Sequence, residues 1–266
     1  SHFDVLDMDW YDDPRVKDSI VKLKQKNPDL IIIVYISAPS ASPAITTYID
    51  WDEVNLHEDW FLHDVDGNRL QIVWGSGWYC IDVGNPEWQK YLGDWCYETL
   101  FVKCPQIDGI FVDNVWRIFH KDLWTVPKEK IPPECGQTWY EDMKGLLQHI
   151  VLSRYTQAVI PNAVRDANCD YLDICDGKMS EGFVHPNWDS SFVFRYNVTR
   201  FIVALSEASK RGKYFMAHSG TMLDGTEADH NRVMLYCFAS YLLGYSGDKA
   251  TFGFGNIYSS SRGYYQ

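Results

Sequence analysis

The sequence predicts an α/β fold: a single (β/α)8 TIM barrel with long strand-to-helix loops, spanning residues 1–266 as one domain. Three observations predict it. Strand-like and helix-like segments alternate from end to end, the pattern of a parallel sheet with helical crossovers. The strand candidates number eight, which suits a closed barrel better than an open sheet. The first candidate leads into Trp10-Tyr11-Asp12-Asp13-Pro14 rather than a glycine-rich phosphate turn, which argues against a dinucleotide-binding fold. The 266 residues also match the usual size of one barrel.

The first strand candidate is Phe3–Asp9, FDVLDMD. Behind it Asp12 and Asp13 precede Pro14 at a first helical position, and Val16, Ile20 and Leu23 give the helix an apolar stripe. The second strand, Leu30–Ser37, is a continuous apolar run of the kind buried on both faces. The third is Tyr79–Val83, followed by Asn85 and Pro86 opening a helix with Trp88, Leu92, Trp95 and Thr99 near one face. The fourth is Asp108–Asn114 and the fifth Ala158–Ala163, with a helix over 138–153 between them. The sixth lies around Tyr171–Glu181, the seventh is Lys213–Ser219 and the eighth Ala250–Gly255. Helices over 195–210 and 227–243 separate the last three, with apolar residues at three- and four-residue spacing. Two connections are long. Residues 39–78 hold a hairpin signal, WFLHDVDGNRLQIVW, with its turn near Asp66-Gly67, and residues 115–137 hold Pro127, Pro132 and Pro133. Long strand-to-helix loops build the active face of a barrel.

Composition narrows the partners. Apolar residues make up 46 % of the chain, enough for a sizeable core. The formal net charge of −12 disfavours nucleic acid, an anionic membrane surface or a polyanionic sugar, and leaves neutral and cationic sugars open. Eleven Trp and seventeen Tyr serve either as core residues or as flat platforms for the apolar faces of sugars. Of the seven Cys, Cys80, Cys96, Cys175 and Cys237 lie in apolar runs and read as buried thiols, whereas Cys104, Cys135 and Cys169 lie near loops with pairing open. No zinc-type spacing occurs, so neither a metal nor a cofactor is expected. No signal peptide or membrane-length apolar run is visible. The chain begins at Ser1, which fits an excised domain or a processed form; a secreted or cell-surface protein that has lost a leader is compatible. Oligomeric state is not legible.

Two carboxylates stand where barrel chemistry is placed. In Asp108-Gly109-Ile110-Phe111-Val112-Asp113-Asn114 an apolar strand ends in two polar residues, and that end faces the active site of a barrel. Glu181 ends the sixth strand in the run KMSEG, with Asp176 as its nearest competitor. Glycoside cleavage needs two carboxyl groups, one to attack or activate water and one to protonate the leaving oxygen. The acid must hold its proton near neutral pH, for which Met179, Phe183 and Trp188 supply apolar neighbours. Candidate sugar-binding residues near strand ends are Asp9, Trp10, Tyr35, Asp82, Asn114, Asn162 and His218. Trp74, Trp78 and Trp116 are the first choices for stacking platforms, while Trp88 and Trp95 fit a helix face and a core role.

The order WFLHDVDGNR, YCIDVGNPEWQKYL, DGIFVDNV resembles the TIM-barrel glycosidases grouped as glycosyl-hydrolase-like family 15, over about Phe3 to Gly255. It is similar, more distantly, to endo-α-1,4-polygalactosaminidase-type barrels and to the α-galactosidase clan. That clan places its nucleophile at the end of strand four and its acid/base at the end of strand six. The resemblance implies Asp113 as nucleophile, Glu181 as acid/base, a retaining outcome and an α-linked oligo- or polysaccharide substrate. Glu181 departs from the Asp that is usual at the second position in the clan. Two other readings stay open. One is a catalytically silent carbohydrate-binding barrel. The other is a metal-dependent hydrolase with Asp7, Asp9 and Asp113 as oxygen ligands, which no His or Cys cluster accompanies.

Overall fold

The computed structural model describes residues 5–8, 14–43, 49–73, 77–153, 157–162, 170–185, 198–220 and 226–255. The chain divides into two compact units, residues 1–159 and 160–266.

The first unit is built on parallel strands. Strand β1 is Val5–Met8, helix α1 Pro14–Lys26 and strand β2 Ile31–Ser37. Strand β3 is the short Ser40–Ala41, helix α2 Trp51–Val54 and strand β4 Tyr79–Cys80. Helix α3 is Pro86–Trp95, strand β5 Gly109–Asp113, helix α4 Trp139–Ser153 and strand β6 Ala158–Pro161. The sheet order is β1-β2-β5-β6, with β1 parallel to β2 and β2 parallel to β5. Burial explains β2: Ile32, Ile33, Val34 and Ile36 are all fully buried, so the strand is apolar on both faces rather than alternating.

Helix starts follow local chemistry. Asn85 caps α3 by accepting hydrogen bonds from the Glu87 and Trp88 backbones at 2.9 and 3.3 Å, and Pro86 takes the first position. Trp88, Leu92 and Trp95 face the core, as the spacing predicts. Helix α4 buries Trp139, Met143, Leu146, Leu147 and Ile150 on one stripe. The expected hairpin forms: Asp64 and Asn68 bond across its turn at 2.8 Å, and Leu70 bonds to Leu62 at 2.8 Å.

One expectation is corrected. Residues 79–83 do not form the third parallel strand. Tyr79 and Cys80 pair antiparallel with Ala41 and Ser40, and Cys80 also bonds to Leu62 and Leu70 of the hairpin at 3.0 and 2.8 Å. Strand β2 pairs directly with β5, in the register Ser37 opposite Asp113, so no parallel strand fits between them. The hairpin supplies antiparallel partners that satisfy this segment first.

The second unit holds strand β7 Gly177–Glu181, helix α5 Val198–Lys210, strand β8 Tyr214–Ser219, helix α6 Glu227–Gly244 and strand β9 Ala250–Phe254. The sheet order is β7-β8-β9, all parallel. Phe215, Ala217 and Phe254 pack with Phe201, Leu205, Val233, Cys237 and Tyr241 of the two helices. Thr226 caps α6 in a reciprocal box with Asp229. The far side of α6 leaves Leu235, Phe238, Leu242 and Leu243 exposed.

Two strand starts are pinched. A side chain at Gly109 would lie 2.5 Å from the Ala158 carbonyl oxygen, and one at Gly177 would lie 2.7 Å from that of Tyr214. Among the described residues no helix is long and apolar enough to cross a membrane. Cys80, Cys96, Cys104 and Cys237 are buried thiols and Cys135 is a half-buried one, so Cys104 and Cys135 do not pair; Cys169 lies outside the described residues.

Candidate functional site

In the first unit the site residues converge on Asp113. Parallel register sets Ser37 opposite Asp113 and Tyr35 opposite Phe111, so alternation brings Tyr35, Ser37 and Asp113 to one face. The Tyr35 hydroxyl donates to Asp113 Oδ2 at 2.7 Å. Asn114 Nδ2 donates to the same oxygen at 3.2 Å. Asn114 has φ 61°, a left-handed conformation that Asn tolerates better than most residues, and this turns its amide back beside the preceding carboxylate. The hydroxyls of Ser37 and Ser40 lie 2.6 Å apart, tying the end of β2 to β3.

In the second unit the residues converge on Glu181. Asn162, 1 % exposed, forms an isolated parallel bridge with Met179 and donates from Nδ2 to Glu181 Oε2 at 3.1 Å. Glu181 and His218 are register partners on adjacent strands, and Met179 and Met216 are partners two residues back on the same face. His218 keeps part of its surface exposed, yet the protein packed around it removes solvation and lowers its pKa to about 4. The imidazole is therefore neutral above that pH and adds no cation beside Glu181. Phe183, expected as an apolar neighbour of the acid, instead packs edge-on against Phe201 and Phe215 at 5.6 and 6.0 Å in the core.

Other sequence candidates fall elsewhere. Asp82 lies in the antiparallel patch, its backbone bonded to Trp60 at 2.8 Å and its carboxylate to the Gly84 N–H at 3.0 Å. Burial raises its pKa, the Gly84 bond opposes that, and nearby Asp142 adds to the rise. Trp116 is 4 % exposed, inside a cluster with Trp124, Trp139 and His120, and its carbonyl accepts from Trp139 Nε1 at 3.1 Å. Its role there is packing. Trp78 is half-buried, and its carbonyl accepts from the Ile72 N–H at 3.0 Å. Asp9, Trp10, Trp74 and Trp188 lie outside the described residues. Asp7 is exposed on β1, and no group of three potential metal ligands occurs among the described residues.

Sequence reasoning missed Ser37 and the pair Val184-His185. The first was signalled by its two-residue spacing from Tyr35. The second carried no local signal, because its bonds run to a strand more than thirty residues away.

The model of a family described as hypothetical glycosyl hydrolase family 15 matches residues 24–262. No curated protein matches the chain. Among solved structures, the glycoside hydrolase domain of PelA from Pseudomonas aeruginosa is similar at a TM-score of 0.53 and 13 % identity, covering 88 % of this chain and 87 % of that one. A variant of that domain is similar at a TM-score of 0.54 and 11 % identity, covering 92 % and 98 %. A GH31 alpha-xylosidase from a soil metagenome is similar at a TM-score of 0.49 and 10 % identity, covering 91 % and 46 %. At such identities the likeness is one of fold. The family match spans most of the chain, and the chain belongs to hypothetical glycosyl hydrolase family 15.

Proposed function

We propose that the chain is a glycoside hydrolase that cleaves an oligo- or polysaccharide with Asp113 and Glu181, in one catalytic domain over residues 1–266. Family membership supports the reaction class. The observation that carries the site is the pair of donors, Tyr35 and Asn114, on one oxygen of Asp113 at the C-terminal end of a parallel strand. Carboxylates in that place serve catalysis in parallel α/β enzymes. The domain is read as a (β/α)8 barrel, of which the described residues contain β1, β2 and β5 in one set of parallel pairings and β7, β8 and β9 in another.

The mechanism has two steps. An Asp113 carboxylate oxygen bonds to the anomeric carbon as the glycosidic C–O bond breaks, and Glu181 gives its proton to the leaving oxygen. Glu181, now a carboxylate, takes a proton from water; the water oxygen bonds to the anomeric carbon, and the ester to Asp113 breaks. The anomeric configuration is retained. The donors on Asp113 suit a carboxylate acceptor, and a neutral His218 adds no positive charge of its own beside Glu181. Asn114 beside Asp113, and Asn162 and His218 beside Glu181, are assigned to sugar hydroxyls, with Trp74 and Trp78 as platforms. An α-linked substrate follows from the resemblance to the α-galactosidase clan.

The test is reducing-end release from a panel of α- and β-linked oligo- and polysaccharides. Wild type is expected to act on at least one, and Asp113→Asn and Glu181→Gln to lose at least about a thousandfold in rate. Product anomers read by NMR during turnover decide retention. Activity kept in both variants sinks the assignment, and sugar binding without release by wild type marks a silent binding barrel.

A further inference from the structure

Directly after Glu181 the backbone takes an unusual course. Gly182 has φ 84° and Val184 φ 64°. A left-handed Val is strained, because its branched Cβ crowds the backbone. Such a conformation persists where the surroundings over-determine it. Here they do. The Gly182 and Phe183 N–H groups both donate to the His218 carbonyl, at 2.9 and 2.8 Å. The His185 N–H donates to the Phe183 carbonyl at 2.7 Å, and the Ser219 hydroxyl donates to the same oxygen. The Gly220 N–H donates to the His185 carbonyl at 3.2 Å. His185 Nδ1 lies 2.8 Å from the Gly220 carbonyl oxygen, and since a carbonyl only accepts, Nδ1 carries the proton. Phe183, Val184 and His185 are at most 1 % exposed. The exits of β7 and β8 are thus clasped in both directions, with Glu181 and His218 on either side of the clasp.

We propose that His185 is a positioning residue for Glu181: its imidazole closes the clasp between the exits of β7 and β8 and fixes where the Glu181 carboxyl is presented. This rests on the reading of Glu181 as acid/base. His185 sits four residues beyond Glu181 with its side chain in the core, so it acts through the backbone and touches no sugar.

The test compares His185→Leu, which fills the space without a donor, with His185→Asn, whose amide can restore a donor to Gly220. The probe is the panel oligosaccharide that wild type cleaves fastest. His185→Leu is expected to lower kcat by about a hundredfold, the scale of a misplaced catalytic group, with KM little changed. His185→Asn recovers most of that loss. In a Glu181→Gln background the Leu change costs nothing further, because the group it misplaces is already gone. Amide hydrogen exchange gives a second reading that needs no substrate: the Gly182, Phe183 and Gly220 amides exchange faster in the Leu variant and at the wild-type rate in the Asn variant. Ser219→Ala, which removes one hydroxyl, repeats the effect in milder form should the Leu variant not fold. Equal losses in both backgrounds, a loss confined to KM, or unchanged exchange overturns the proposal. Full activity in Glu181→Gln alone sinks the acid/base reading instead, and the exchange rates then still decide the clasp.

Discussion

The Tyr35 hydroxyl and the Asn114 amide meet on one oxygen of Asp113. The two donors restrain that carboxylate, and under the proposed role orientation is a large part of what a nucleophile needs. Tyr35→Phe removes one donor and keeps the ring against Phe111, 6.0 Å away. It is expected to cut kcat roughly tenfold or more, with stability changed by about 1 kcal/mol, checked by steady-state kinetics beside urea melts. Unchanged kcat means Asp113 is held without it. His218 makes a prediction about acid. Its folded pKa of about 4 lies below the ordinary value of 6.5. Between those values the unfolded chain binds a proton that the folded chain refuses. Stability therefore falls as pH drops through that window, by on the order of 3 kcal/mol in all, and is whole again above it. Urea melts of wild type and His218→Gln at pH 7 and pH 4 are expected to show a smaller acid loss in the variant. An equal loss places the acid sensitivity elsewhere. The sequence placed Asp113, Asn114, Tyr35, Asn162 and His218 at strand ends because alternation and strand length are local properties. It did not show Tyr35 as a donor to Asp113, since that contact depends on the register between β2 and β5.

At the scale of elements, caps and stripes were legible and pairing was not. Pro14 and the Asn85-Pro86 pair mark helix starts in the sequence, and α1 and α3 begin there. Residues 79–83 look like a barrel strand by their own pattern, yet their partners are the hairpin and β3. Hydrogen-bond direction is decided by the partner, and the partner lies outside any local window. Trp116 likewise looked like a platform from its place after β5, and a cluster of aromatic residues from later in the chain buries it. For α6 the cap carries a measurable share of stability. Thr226→Ala removes the hydroxyl that accepts from the Asp229 N–H at 3.2 Å, and the expected cost is about 1 kcal/mol by chemical denaturation. No change means the first turn is held by packing alone.

For the whole molecule, the alternation of strands and helices conveyed the α/β class, and the family match and the PelA likeness agree with it. The net charge of −12 disfavours a polyanionic partner, in keeping with the neutral or cationic sugar of the proposed function. The pinched strand starts bear on how related sequences are to be compared. Gly109 and Gly177 have no room for a side chain, because a neighbouring strand's carbonyl occupies the place. Their kind of constancy is architectural. A glycine kept at both positions through long divergence reports only that the strands still meet there. Tyr35 and Asn162 donate to Asp113 and Glu181, and His185 donates to the Gly220 carbonyl, so under the proposed function constancy at those positions would carry news of the reaction. On that reading, divergent relatives that keep the glycines and lose the polar set would have kept the scaffold after the chemistry has lapsed.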